Sequence, residues 1–387
     1  MVRHVHLRMA LAAMATTMMG IGLARFSYSP IAAALVDDGV LTPADVTRIG
    51  AALLAAYVIG AFVAHRVGAR FGDAPPIRAA LVACVVLLAI EGSLDSPWMI
   101  AAGRAMMNAL GAVLMVLGPT AAMRAVGIEA RPGISAVAFA GVGVGAVASG
   151  RVVAVIAGHA DSAWISPAIA VLGLVAVALG WGPWPRRDAA DVAPPEPHSG
   201  SGIARAVTLI AIAWAADAWG YIPHGIYFSD YVSSELGRGV VASGLFWSAF
   251  GFGTIGGPFL TAALFRRVGG KTALITAFAA KAAAVALVAA VTTPVALIAS
   301  AAVVGILTSG MGALFTMALA ERMDASQLSR VWGRLTGLFA VAQGAAAFAA
   351  AWAYSVFGAY QSLFLFAAGA LGIGAAVLAL MPPASRR

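Results

Sequence analysis

Of 387 residues, 61% are hydrophobic and only 10% charged, giving a mean hydropathy of +0.93. Soluble domains draw about a quarter of their residues from Asp, Glu, Lys and Arg, so this composition excludes a soluble fold and indicates an integral membrane protein. The net charge of +8 then asks for a topological explanation, and nucleic acid is not expected as a partner.

A helix crosses the hydrocarbon with about 17 to 25 apolar residues. Twelve such stretches can be laid down, over 9–36, 46–65, 78–94, 98–123, 134–157, 163–182, 206–229, 240–264, 272–291, 294–319, 331–354 and 358–381. Runs this long lack the period-2 alternation of barrel strands, so the predicted class is all-α. Residues 1–20 place basic residues before an apolar run, as a signal peptide does. Cleavage after Ala24 would leave an odd number of spans and is not expected.

Span one contains the run GIGLARFSYSP. It places Arg25 in hydrocarbon, where a cation costs several kcal/mol unless it faces protein or water. Tyr28 and Pro30 follow it. Span three holds Cys84, the single cysteine, so no intrachain disulfide can form. In span four, Arg104 shares a helix face with Asn108 and Gly111. In span five, Gly141, Gly143, Gly145 and Gly150 read as close helix packing rather than a phosphate loop, because no strand precedes them. Arg151 closes that stretch. Arg25, Arg104 and Arg151 can each alternatively snorkel to the outer interface.

Residues 184–204 form the one extended stretch rich in Pro, Ser, Gly and charge, and read as a linker. It separates six spans at 1–183 from six at 205–387. In span seven, Trp214, Asp217, Tyr221, His224 and Phe228 recur at spacings of three and four, predicting a single stripe. Asp217 is the one acid expected deep in a span. The proton affinity of such an acid depends on its neighbours, so Asp217 and His224 are candidate proton carriers. A static bridge between Arg25 and Asp217 is the structural alternative. Lys281, near the middle of span nine, is expected to have a structural or lipid-facing role. No spacing of His, Cys and acids suggests a metal site, and no nucleotide motif or catalytic set suggests an enzyme or a cofactor.

Orientation follows from the basic residues. With both termini cytoplasmic, only Arg48 and Arg238 of the 24 Lys and Arg fall in outer loops, and Arg25, Arg104, Arg151 and Lys281 fall within spans. The remainder lie inside. The two halves also repeat: AFVAHRVGAR after span two matches AALFRRVGGK after span eight, and Tyr28-Ser29-Pro30 in span one echoes Tyr221-Ile222-Pro223 in span seven.

These turn segments resemble the loop signature of the major facilitator superfamily, with Arg66, Gly68 and Arg70 in the first copy and Arg267, Gly269 and Lys271 in the second. Ala61 and Ala262 stand where that signature has glycine, and His65 and Arg266 where it has aspartate. The runs GIGLARFSYSP, FAGVGVGAVASG, Gly220-Tyr221-Ile222 and GRLTGLFAVAQGAAAF are similar to the YbfB/YjiJ-type branch. The resemblance implies two pseudo-symmetric six-helix bundles working by alternating access, with the six loop residues in gating. The expectation is a secondary transporter in the inner membrane, monomeric, moving a small organic anion with protons, with Arg25, Tyr28, Arg104, Asn108 and Tyr221 at the substrate. The alternatives are proton-driven efflux of hydrophobic or cationic compounds, and a membrane sensor that does not transport.

Overall fold

The computed structural model describes residues 2–127, 130–182, 184–185, 201–323 and 325–382. Most of the expected linker, 186–200, lies outside the described residues. Twelve helices are long and apolar enough to span a membrane: α1 (His6–Asp37), α2 (Pro43–Phe71), α3 (Ala74–Glu91), α4 (Pro97–Arg124), α5 (Gly133–Ala157), α6 (Ser162–Gly180), α7 (Ala204–Glu235), α8 (Gly239–Val268), α9 (Gly270–Ala290), α10 (Pro294–Ala320), α11 (Val331–Phe357) and α12 (Tyr360–Ala379). Among the described residues there is no strand. Large apolar side chains such as Phe62, Val155, Phe259 and Trp352 stand exposed on the outside of the bundle, a surface only lipid would accept.

Local chemistry sets the helix ends. Thr42 accepts from the Asp45 amide at 3.2 Å while the Asp45 carboxylate accepts from the Thr42 amide at 3.1 Å, and Pro43 fills the first turn of α2. Gly72 and Gly269, both at φ +76°, end α2 and α8 in a conformation that disfavours any residue with a β-carbon. The two sequence repeats therefore do not end alike. Gly269 is a helix terminator, whereas its counterpart Gly68 is a buried helical residue one turn before the end of α2.

Packing repeats with a period of six helices. The pairs α2–α4, α3–α4, α3–α6, α1–α6 and α1–α5 recur as α8–α10, α9–α10, α9–α12, α7–α12 and α7–α11, and the two sets of six meet through α5–α8 and α2–α11. The glycines of α5 make close approaches, as their pattern led us to expect. A β-carbon on Gly145 would lie 2.6 Å from Gly22 Cα of α1, and one on Gly150 would lie 2.5 Å from the Gly244 carbonyl of α8.

Both α1 and α7 are interrupted. Met18–Leu23 of α1 and Pro223–Tyr227 and Tyr231–Glu235 of α7 are π turns, in which each extra residue re-aims the side chains beyond it. Hydrogen bonds from Ala24 and Phe26 back to Met19 and Ile21, 2.8 Å each, carry the widened turn up to Arg25.

Candidate functional site

Arg25 leaves the π turn of α1 and lies in the plane where the two sets of six helices meet. It is 5% exposed. Its Nη2 donates to the Tyr221 hydroxyl of α7 and to Gln343 Oε1 of α11 at 3.0 Å, and its guanidinium carbon lies 4.9 Å from the Tyr57 ring of α2 and 5.6 Å from the Tyr221 ring. Every one of these partners is neutral. Among the described residues no carboxylate comes within ion-pairing distance of Arg25, and its Nε has no hydrogen-bond partner.

Behind Tyr221 sits a pair of opposite charges. Lys281 Nζ of α9 donates to Asp217 Oδ1 of α7 at 2.7 Å, with both side chains buried, and lies 5.9 Å from the Tyr221 ring. Two expectations are corrected here. Asp217 pairs with Lys281 rather than Arg25, and Lys281 points into the protein rather than toward lipid, because only a buried carboxylate offsets the desolvation of an ammonium at that depth.

Arg104, Asn108 and Tyr28, expected beside Arg25, belong to a separate cluster. Arg104 is fully buried and grips Glu91 with two hydrogen bonds, Nε to Oε1 at 2.5 Å and Nη2 to Oε2 at 2.6 Å. Its Nη1 donates to Ser27 Oγ at 3.0 Å and the Ala24 carbonyl at 3.3 Å, and Ser166 donates to Glu91 at 2.6 Å. Tyr28 lies under the guanidinium with its ring 5.5 Å away and donates to the Val46 carbonyl; Asn108 donates to the Arg104 carbonyl at 3.0 Å. This cluster joins α1, α3, α4 and α6. Tyr28 and Tyr221, paired by the sequence echo, thus face different arginines. Arg151 is exposed on α5.

The α7 stripe divides in two. Trp214 and Tyr221, seven residues apart, both stack on Phe339 of α11, at 4.3 Å and 6.3 Å between centroids. Asp217 and His224 face α9 and α10. His224 is fully buried, bonded through Nε2 to Ser300 Oγ at 2.8 Å and stacked on Phe228. Asp217 is not the one buried acid: Glu91 and Asp230, near the ends of α3 and α7, are buried too. Glu91 was legible only as an acid three residues before the expected end of span three, and Tyr57 carried no signal beyond its place in an apolar run.

Where α1 and α7 end and α2 and α12 begin, the halves are laced together. The Ser229 amide donates to Ser29 Oγ at 3.3 Å, and the Tyr360 hydroxyl donates to Asp230 at 2.6 Å while lying 3.3 Å from the Pro43 carbonyl. At the opposite end, Arg66, Arg70, Arg267 and Gly269 are exposed, and Lys271 donates to the Met381 carbonyl at 2.6 Å. The acid missing from the first loop repeat has a neighbour in its place: Asp73 forms an ion pair with Arg124 at the end of α4. Near the second, Glu321 lies against Gly270 at the start of α9, where a helix N-terminus favours negative charge.

Twelve helices with contacts repeating every six, and polar groups gathered where the two sets meet, define a membrane transporter of the major facilitator type. Residues 17–379 match the family described as uncharacterised MFS-type transporter YbfB, and the chain belongs to it. A comparison with curated proteins gives no match. Among solved structures the chain is similar to an aspartate-to-alanine mutant of the nucleoside transporter NupG, with a TM-score of 0.70 at 12% identity, covering 98% of this chain and 100% of that one. At that identity the likeness is one of fold.

Proposed function

We propose that the protein is a secondary active transporter that binds a small organic anion on Arg25, between bundles formed by 1–183 and 205–387, and moves it by alternating access coupled to protons. The observation that carries this reading is the unbalanced charge at Arg25. Two other buried membrane cations have carboxylate partners, Arg104 with Glu91 and Lys281 with Asp217, while among the described residues Arg25 faces only Tyr57, Tyr221 and Gln343. Leaving a buried guanidinium without a counter-charge costs several kcal/mol. A substrate carboxylate removes that cost with a two-point hydrogen bond, so the site is poised for anions.

Protons enter through Asp217. When its carboxylate takes a proton, Lys281 loses its counter-ion beside Tyr221 and adds a second cation to the site, so proton uptake and anion binding favour one another; loss of that proton restores the pair and weakens the hold on the anion. Efflux of cations is the weaker reading, because Asp217 is already occupied by Lys281. Arg104, Tyr28 and Asn108 serve to fix α1 against α3, α4 and α6. With both termini and the linker on the cytoplasmic side of the inner membrane, as the basic residues favour, the laced end faces outward, and Arg66, Gly68, Arg70, Arg267, Gly269 and Lys271 lie at the inner gate.

Proteoliposomes test this. Carboxylate metabolites should accumulate when the pH gradient is imposed in one direction and not when it is collapsed; accumulation of organic cations instead, with carboxylates ignored, would overturn the reading. Labelling of single cysteines in a Cys84-free chain tests the orientation. A linker position that reacts with an impermeant reagent in intact cells would reverse it.

A further inference from the structure

The surroundings of Arg25 bear on what kind of carboxylate fits, and this step rests on the anion reading above. Aromatic rings run in one direction from Arg25, along facing sides of α7 and α11. Tyr221 stacks on Phe339 with an interplanar angle of 11°, Phe339 stacks on Trp214 at 4.3 Å, and Trp214 meets Trp332 at 5.5 Å and the edge of Phe315 at 4.7 Å. Trp214 lies seven residues before Tyr221 on α7, and Trp332 seven before Phe339 on α11. At a rise of 1.5 Å per residue each step is about 10 Å, so the rings form a ladder about two turns long that begins at the guanidinium.

Two features set this ladder apart from ordinary core. Trp332, Phe339 and Tyr57 are only half-buried, so their rings keep free surface while facing other helices. The polar edges are also unspent: Trp214 Nε1 and Arg25 Nε are buried with no hydrogen-bond partner. A cation at one end, stacked rings beyond it and an unused indole N–H alongside match a flat molecule with a carboxylate at one edge. Aromatic faces add affinity through offset stacking that a saturated ring of equal volume cannot match.

We infer that the substrate is a planar aromatic carboxylate, its acid group on Arg25 and its ring against the free surface of Tyr57 and Phe339. The experiment uses the full-length protein in detergent and two pairs of acids, benzoate against cyclohexanecarboxylate and 2-naphthoate against its decalin counterpart, with affinity read by calorimetry. Each planar acid should bind about 2- to 10-fold more tightly than its saturated partner. Phe339→Leu and Tyr57→Leu should reduce that preference toward unity while both variants still bind the saturated acids, which also shows that they are folded. Saturated acids binding as well as planar ones, or a preference unchanged in both variants, would overturn the inference and leave Arg25 as an anion site of another shape. Failure of all four acids to bind, with other anions binding independently of Arg25, would instead overturn the anion reading beneath it.

Discussion

Arg25 and Arg104 are both arginines buried in membrane helices, the first on α1 and the second reaching it, yet the protein treats them oppositely. Arg104 meets a carboxylate at two points, a serine, a backbone carbonyl and an aromatic face, all within one set of six helices. Among the described residues Arg25 meets only neutral groups, and those groups come from both sets. The lesson is that depth in the membrane does not mark a site. A cation whose charge is answered inside one bundle holds that bundle together, whereas one whose charge is left over, at the plane where bundles meet, can bind something that arrives.

The contrast should show first in stability. Glu91→Gln leaves Arg104 buried without its counter-ion and should cost about 3–5 kcal/mol, the usual penalty for breaking one side of a buried pair. Arg25→Met removes an uncompensated charge and should leave the thermal midpoint in detergent unchanged or raise it. Equal losses in the two variants, measured by thermal unfolding at matched lipid content, would erase the distinction.

Transport separates the charges next. Asp217→Asn keeps a hydrogen-bonding side chain but can no longer alternate between charged and neutral, so counterflow of substrate should persist while accumulation driven by a pH gradient falls to background. Accumulation at wild-type level in that variant would remove Asp217 from the coupling step. His224→Gln is the smallest expected effect. The histidine holds Ser300 in a buried pocket and touches neither Arg25 nor Lys281 through a hydrogen bond, so the substitution should cost about 0.5–1.5 kcal/mol of stability and leave the pH dependence of transport in place. A shifted pH profile in His224→Gln would bring the histidine into the proton path.

The spans were legible because hydrophobic length is a property of each segment alone, and the predicted ends fall within a few residues of the observed ones except where α2 and α7 continue further. The glycines of α5 were legible for a related reason, since only close backbone approach explains so many in one helix. Charge pairing was not legible. Asp217 and Lys281 are 64 residues apart, and which arginine or lysine an acid meets depends on the rotation of each helix about its axis. The π turns of α1 and α7 change that rotation by roughly a residue each, and no residue pattern in GIGLARFSYSP or YIPHGIY announces them. Trp214, Asp217, Tyr221 and His224 read as one stripe for the same reason that they are two: spacings of three and four drift around the helix, and here the drift places alternate members against α11 and against α9 and α10.

Binding of the substrate anion on the uncompensated charge of Arg25 is the central proposal. The direct measurement is ligand-induced thermal stabilisation of wild type, Arg25→Lys and Arg25→Met, titrated with the carboxylate that stabilises the wild type most. Ligand at 100 times its dissociation constant stabilises a folded protein by about 2.7 kcal/mol. The wild type should show a stabilisation of that order, Arg25→Lys a fraction of it because an ammonium cannot make the two-point contact, and Arg25→Met none at the same concentration. Full stabilisation of Arg25→Met by that carboxylate would contradict the claim and place the anion elsewhere.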